Sequence, residues 1–334
     1  DRIMNVSSGC FVLIEENQTP EFILLGFPEL QEFRFLLFIT FLVVYLFVLL
    51  GNALIILISK MDIGLRIPMY FFLSNFSFLE MCYTSVTVPR LLGDFLTGPH
   101  AVSLWTCLTQ MYFFFFFGTT EFFLLATMAF DRYLAICHPL QYPVLMDNHA
   151  CISLALGSWL SGFLTPFLPI AFISQLPFNS SNQLDHFFCD TGPLIKLSTG
   201  DTFMAEAVVF LVSAVIVLLS FILTLISYAL IVSTICRIPS ASGRHKAFST
   251  CFSHLMVVTI FYGTVIFMYL CPRFGQASET DKVVSVFYAV LTPVLNPIIY
   301  TLRNKDVKRA LRKVLKDALF TVAFAHLHPS RCAG

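Results

Sequence analysis

Seven stretches of this chain are each long and apolar enough to cross a lipid bilayer as a helix, and no other feature restricts the fold as severely. A helix rises about 1.5 Å per residue, so about 20 apolar residues cover roughly 30 Å of hydrocarbon. The runs are approximately 33–58, 67–92, 101–130, 151–173, 203–235, 247–271 and 283–302. Four of them hold no Asp, Glu, Lys or Arg over 35–58, 151–173, 207–236 and 247–271. A helix beside a soluble core would show a polar stripe, and helices apolar on all faces make sense only in lipid. The expected fold is an all-α membrane protein: an outer N-terminal segment (1–32), a seven-transmembrane helix bundle (33–302) and a cytoplasmic tail (303–334).

Hydrophobic residues make up 57% of the 334-residue chain and charged residues 12%, with 20 Lys+Arg against 20 Asp+Glu. That balance argues against a disordered chain, a nucleic-acid binder and an ordinary soluble enzyme. The zero net charge is a cancellation by position. With the N-terminus outside, the inner segments hold 14 basic and five acidic residues, the outer side six basic and 13 acidic, and Glu80 and Glu121 remain within the spans. The net is then +9 inside, −7 outside and −2 within the spans, which satisfies the positive-inside rule. The expected location is the plasma membrane, multi-pass, with the C-terminus cytoplasmic. Residues 1–19 carry Glu15 and Glu16 and lack a basic start followed by an apolar core, so the first span is expected to act as its own signal anchor.

Topology also sorts the cysteines and glycosylation triplets. Cys82, Cys137, Cys151, Cys236 and Cys251 fall in spans or on the reducing side and read as packing residues. Cys107 and Cys189 both lie on the oxidising side, where a bridge between them would pin the long outer loop over the bundle mouth. Cys10 and Cys271 are external as well, and a second bridge there stays open. Asn5, Asn17 and Asn179 begin external acceptor triplets. Asn75 begins one too, but within the second span, out of reach of a transferase.

Ionisable residues inside a span are costly and mark function by default. Glu80 and Glu121 sit at comparable depth, and two carboxylates meeting in a low-dielectric interior share a proton or hold a cation. Asp131-Arg132-Tyr133 closes the third span, 25 residues after Cys107, so both ends belong to one membrane-crossing helix. Near the end of the seventh run, Pro293 and Pro297 each remove a helical hydrogen bond beside Asn296 and Tyr300, which loosens the helix where a moving part would be. Beyond it, Val307, Leu311, Val314, Leu315 and Ala318 oppose Lys308, Arg309, Arg312, Lys313 and Lys316, the pattern of a short amphipathic helix on the anionic inner leaflet.

These signals together resemble the rhodopsin-like G-protein-coupled receptors, through the Cys107/Cys189 pair, Gly51-Asn52, Asp131-Arg132-Tyr133, Trp159 and Asn296-Pro297-Ile298-Ile299-Tyr300. More narrowly, the chain resembles an olfactory receptor. That resemblance rests on Pro68 to Asn75, Met128 to Tyr142, Ser227-Tyr228, Lys246 to Leu255, Phe261-Tyr262-Gly263 and Pro293 to Asn304, and covers nearly everything from Glu21 to Leu311. It implies a receptor, not an enzyme, that binds small volatile odorants in the outer half of the bundle. It further implies activation of a stimulatory, olfactory-type heterotrimeric G protein to raise cyclic AMP.

In that light Arg132, with Asp131 and Tyr133, engages the G protein beside a polar latch of Tyr228 and His254. Tyr262 is the hinge, and Asn296, Pro297 and Tyr300 form the moving end of the seventh span. Asn52, Glu80, Glu121 and Asn296 make up an interior site for sodium or a shared proton, and no other metal or cofactor is implied. Helical spacing sets Phe114, Phe115, Gly118, Thr119 and Phe122 on adjoining faces of the third span. By resemblance the odorant chamber adds Val209, Val212, Ser213, Val265, Ile266, Tyr269, Val286 and Ala289. This lining suits a neutral volatile molecule, and Phe114 stands where amine-sensing relatives usually place an Asp.

Phe130 and Phe252 depart mildly from the family pattern. Asn179 and Thr199 stand where relatives commonly carry a second pair of loop cysteines, which predicts a looser loop. A transporter or channel is the main rival from another class, disfavoured by the odd span count, the lack of an internal repeat and the presence of only two membrane carboxylates. A receptor-like chain without odorant function is the other alternative.

Overall fold

The computed structural model of the protein describes residues 20–178, 182–270, 282, 285, 286, 290, 292–303 and 307–313, with the side chains of Ile266, Tyr269, Asn296 and Tyr300 outside that set. Asn5, Asn17, Asn179, Cys10, Cys271 and Ala289 also lie outside the described residues.

The apolar runs fold as helices. α1 spans Arg34–Met61, α2 Pro68–Thr97 and α3 Leu104–Cys137. The short α4 (Tyr142–Leu145) leads into α5 (Asn148–Leu164) and α6 (Phe167–Ser174), which divide the fourth run at Thr165 and Pro166. α7 (Thr191–Lys196) is a single short turn before α8 (Phe203–Arg237), α9 (Ala241–Leu270) and α10 (Thr292–Arg303). Local chemistry sets several starts: Pro68 lies in the first turn of α2, where its missing N–H costs nothing, and the side chains of Ser103 and Asp147 accept from the backbone N–H of Thr106 and Ala150 to cap α3 and α5.

Four described helical segments are long and apolar enough to span a bilayer, 28–61, 104–137, 148–174 and 203–237, and the bent α9 brings the number to five. The 30-residue α2 is long enough but not among them, because Ser74, Asn75, Ser77, Glu80, Thr84 and Thr87 dilute it. These polar side chains turn inward: Ser77, Glu80, Thr84 and Thr87 are buried, while the apolar side chains of α1 and α8 face out, with Leu50 and Phe203 each 70% exposed. Such an inverted distribution, polar within and apolar without, is what lipid as solvent demands. The chain is a membrane helical bundle.

One expectation needs correction. The third helix does not close at Asp131-Arg132-Tyr133 but continues to Cys137, and both Asp131 and Arg132 are buried within the bundle. A small sheet that the apolar pattern does not foreshadow covers one end of the bundle. β1 (Glu21–Leu24) lies between β2 (Ala101–Ser103), antiparallel with Phe22 opposite Val102, and β3 (Asn182–Leu184), parallel with Ile23 opposite Gln183. Phe22, Leu24, Val102 and Leu184 bury their side chains together with the disulfide of Cys107 and Cys189. The opposite end carries residues 307–313, where Val307 and Ala310 are buried and Lys308, Arg309, Arg312 and Lys313 are exposed, the amphipathic division expected.

Two helix contacts are unusually close. A Cβ on Gly51 would stand 3.1 Å from Pro297, so α1 and α10 meet where the glycine leaves room. A Cβ on Gly162 would collide with Thr120 Oγ1 and stand 2.7 Å from the Phe116 carbonyl, which makes glycine a requirement of the α3–α5 packing. Nearby, Trp159 donates to Asn75 Oδ1 at 3.2 Å, so the intramembrane acceptor triplet is occupied by a structural contact.

Candidate functional site

At the disulfide end, residues 185–188 of the loop before α7 dip into the bundle. Cys189 is bridged to Cys107 of α3 with their Cα atoms 5.3 Å apart. Gln110, one turn further along α3, accepts from the Cys189 backbone N–H at 3.1 Å and donates to the Val86 carbonyl of α2 at 2.9 Å, so one amide ties the loop to two helices. Asp185 pairs with the buried Lys282, and His186 bonds Ser285 at 3.2 Å. Neither clasp is visible in the sequence, because its members lie far apart and belong to no local pattern. In the same loop Phe178 and Ser198 form an isolated β-bridge, and Ser198 and Thr199 both donate to the Pro177 carbonyl at 3.3 Å. Backbone and hydroxyl bonds therefore tie residues 177–178 to residues 198–199.

Beneath this loop, the residues expected to line an odorant chamber divide among three side-chain clusters. Phe114 is buried against Tyr83 (5.0 Å between ring centres) and Phe188 (4.8 Å), and Val286 packs in the same cluster. Phe115 and Val209 join the cluster under the sheet, whereas Phe122 and Val265 belong to the deeper core with Phe261 and Tyr262. A Cβ on Gly118 would stand 3.8 Å from the Tyr83 ring, and Thr119 is buried. Val212 and Ser213 are partly buried on α8. Phe187 and Phe188, the aromatic floor of the loop, carry no local signal in the sequence, since only the fold sets Phe188 on Phe114 of α3 and Phe187 on Phe27. The five phenylalanines 113–117 divide by helix face: Phe116 and Phe117 pack on Trp159, and Phe113 is 42% exposed.

At mid-depth, Glu80 and Glu121 are both fully buried and near enough for their charges to act on each other. Asn52 is buried too; its amide donates to the Val48 carbonyl at 3.0 Å, which leaves its Oδ1 without a hydrogen-bond partner among the described residues. Glu121 Oε1 likewise has none. Glu121 Oε1 is thus an orphan acceptor with a second carboxyl close by, and buried acceptors do not stay unsatisfied without cost. Among the described residues no three His, Cys, Asp or Glu side chains gather as a metal site. Above Tyr228, the ring of Tyr262 lies 5.8 Å from Phe122 and 5.2 Å from Phe221 and so joins α3, α8 and α9.

At the far end, Arg132 Nε donates to Asp131 Oδ2 at 3.1 Å, with a second guanidinium contact to the same oxygen. The other carboxylate oxygen accepts from the Tyr142 hydroxyl at 2.7 Å. Burial first, and then the adjoining Asp131 charge, push the Tyr142 phenol well above its ordinary value. Tyr142 is therefore a member of the site, although its place in the Met128–Tyr142 motif gives no sign of that contact. Tyr133 turns away from this group and bonds His138 at 3.0 Å. Tyr228 and His254 meet at 2.6 Å with their rings stacked, and the Arg132 charge lies close enough to act on His254. Tyr228 and Cys251 pack with Ala129 of α3, so the latch adjoins the Asp131–Arg132 pair. The described structure contains Pro297, buried, but not the side chains of Asn296 and Tyr300.

Comparison with known proteins adds a family. Residues 41–318 match the family described as olfactory receptor. Olfactory receptor 11L1 of Homo sapiens is 52% identical over 295 residues, covering 88% of this chain and 92% of that protein. Olfactory receptor 6B9 of Mus musculus is 51% identical over 295 residues, 88% of this chain and 93% of its own. Olfactory receptor 10A7 of Homo sapiens is 49% identical over 305 residues, 91% and 96% of the two chains.

Proposed function

The chain belongs to the olfactory receptor family, and from that premise we propose that it is an odorant receptor which binds small, mostly neutral volatile molecules within the bundle and activates a stimulatory, olfactory-type G protein to raise cyclic AMP. The observation that carries this reading is the match extending from α1 to the tail at about half identity. It is a receptor and not an enzyme. The bundle crosses the plasma membrane seven times, with residues 1–32 outside and 303–334 inside, and the positive-inside charge distribution supports that orientation.

The odorant chamber lies under the 185–188 loop. Phe114, Gly118, Thr119 and Phe122 of α3 form one wall, with Phe115 above them. Val209, Val212 and Ser213 of α8, Val265, Ile266 and Tyr269 of α9, and Val286 and Ala289 of the seventh span complete it. Its aromatic character, with no carboxylate at Phe114, supports a neutral ligand. Agonist binding between α3 and α9 shifts Tyr262, and the seventh span yields at Pro297 with Asn296 and Tyr300. The inner ends of α8 and α9 then part, breaking the Tyr228–His254 contact and exposing Arg132, Asp131 and Tyr133 to the G protein. Asn52, Glu80, Glu121 and Asn296 would hold a sodium ion or a shared proton. A cation there would neutralise the paired carboxylates and favour the resting arrangement; the orphan oxygens of Asn52 and Glu121 support that choice. Residues 307–313 would lie on the anionic lipid of the inner leaflet.

The test is a cyclic AMP reporter in cells expressing the full chain, screened with a broad panel of volatile molecules. An agonist found there should lose at least tenfold in potency in Phe114→Ala and in Gly118→Trp at equal surface expression. Unchanged potency in both would remove the chamber from this part of α3.

A further inference from the structure

Outside the proposed odorant chamber, a cavity of about 120 Å³ opens at the sheet-covered end, between the segment after β1, the start of α1 and the end of α2. Its walls are apolar, with Leu24, Phe27, Leu91 and Phe95 among them, and its rim carries Arg34 and Asp94. The two rim charges are not equivalent. Asp94 is shared by Arg90 at 3.7 Å and His100 at 3.8 Å. Arg34 rests over the ring of Phe35 at 5.1 Å and has no acidic partner among the described residues. The spare charge at the cavity is therefore positive, and a guanidinium is the side chain best shaped to hold a carboxylate through two parallel hydrogen bonds.

We propose that this cavity is a second ligand site, which takes a short-chain carboxylate with its chain among Leu24, Phe27, Leu91 and Phe95 and its carboxyl group on Arg34. Size supports the class: an apolar cavity of about 150 Å³ holds a benzene-sized molecule, so this one, a fifth smaller, accepts an alkyl chain of about five carbons with its carboxyl group at the rim. Charge disfavours an amine, because Asp94 already faces Arg90 and His100. The site also has a route to the interior. Phe27 stacks on Phe187 at 5.6 Å, Phe187 meets Phe188 at 5.0 Å, and Phe188 meets Phe114 at 4.8 Å. An occupant that steadies Phe27 therefore steadies the roof of the odorant chamber, and each ligand then alters the affinity of the other by the same factor.

Binding itself rests on the geometry of the cavity and not on the odorant reading, so it is tested first and without an odorant. The full chain in lipid nanodiscs is probed with hexanoate by saturation-transfer difference NMR, against empty nanodiscs and against hexylamine. The expected result is a hexanoate signal at least threefold above empty discs and above hexylamine. It should fall at least fivefold in Arg34→Gln, which removes the anchor, and in Leu30→Trp, which fills the cavity. Arg34 and Leu30 are both exposed, so the variants should fold, and an unaltered melting temperature verifies this. Leu160→Ala, on the exposed face of α5, should leave the signal as it is. A hexanoate signal that survives both Arg34→Gln and Leu30→Trp, or one that hexylamine matches, overturns the site whatever the receptor's odorant proves to be.

Discussion

Replacing Tyr142 by phenylalanine should raise the basal activity of the receptor. The change deletes one hydroxyl, whose bond to Asp131 Oδ1 spans 2.7 Å, and leaves the ring and the Arg132–Asp131 pair in place. A hydrogen bond to a charged acceptor contributes about 1.5–3 kcal/mol. Tyr142 is only half-buried, which puts its contribution near the lower figure, about 1.5 kcal/mol. If releasing Arg132 to a partner requires this contact to break, the contact favours the resting state by that amount. Its loss then shifts the resting-to-active ratio about tenfold, since 1.4 kcal/mol is one decade. The assay is unstimulated cyclic AMP accumulation, normalised to receptor at the cell surface. Tyr112→Phe is the matched control: it deletes a hydroxyl of the same chemistry, bonded to the Phe163 carbonyl at 2.8 Å, far from Arg132. Basal signal unchanged in Tyr142→Phe, or raised equally in Tyr112→Phe, would refute the reasoning.

Three further outcomes are expected. Gly162→Ala should destabilise the bundle by about 3 kcal/mol, the upper end of the overpacking range, because the Phe116 carbonyl cannot rotate away. Its melting temperature should fall by several degrees, and adding Thr120→Ala should restore only part. Cys189→Ser opens a link between residues 82 apart and should cost about 4 kcal/mol, seen as a large loss of surface receptor by flow cytometry. Lys282→Ala and Asp185→Asn should each lower thermal stability, while the double variant falls short of their sum by about 0.5 kcal/mol or more, as expected for partners in one half-buried contact.

The helices were legible because hydropathy is a local property: the runs beginning near 33, 67 and 203 correspond to α1, α2 and α8 within a few residues at their starts. Their ends were less legible. Asp131 and Arg132 look like an interfacial stop, but they are buried with a partner from α4, so helical backbone continues past them. The division of the fourth run at Thr165 and Pro166 was likewise visible as a proline but not as a break. The sheet was illegible for a different reason: strands of three and four residues carry no usable period and exist only because three distant segments meet. The same distinction governs the site. Glu80, Glu121 and Arg132 announce themselves as charges in apolar surroundings. Phe188, Gln110 and Lys282 act through long-range contacts, and a single chain read from end to end holds no signal for them.

The central claim is that ligand binding in the bundle is transmitted through Arg132 to a G protein. Its most direct test is agonist-stimulated cyclic AMP in cells expressing the full chain or Arg132→Ala at matched surface density. A dose-dependent rise is expected for the native chain and its loss in Arg132→Ala, with agonist still bound. An undiminished response in Arg132→Ala, or agonist-evoked ion flux that persists without a G protein, would contradict it.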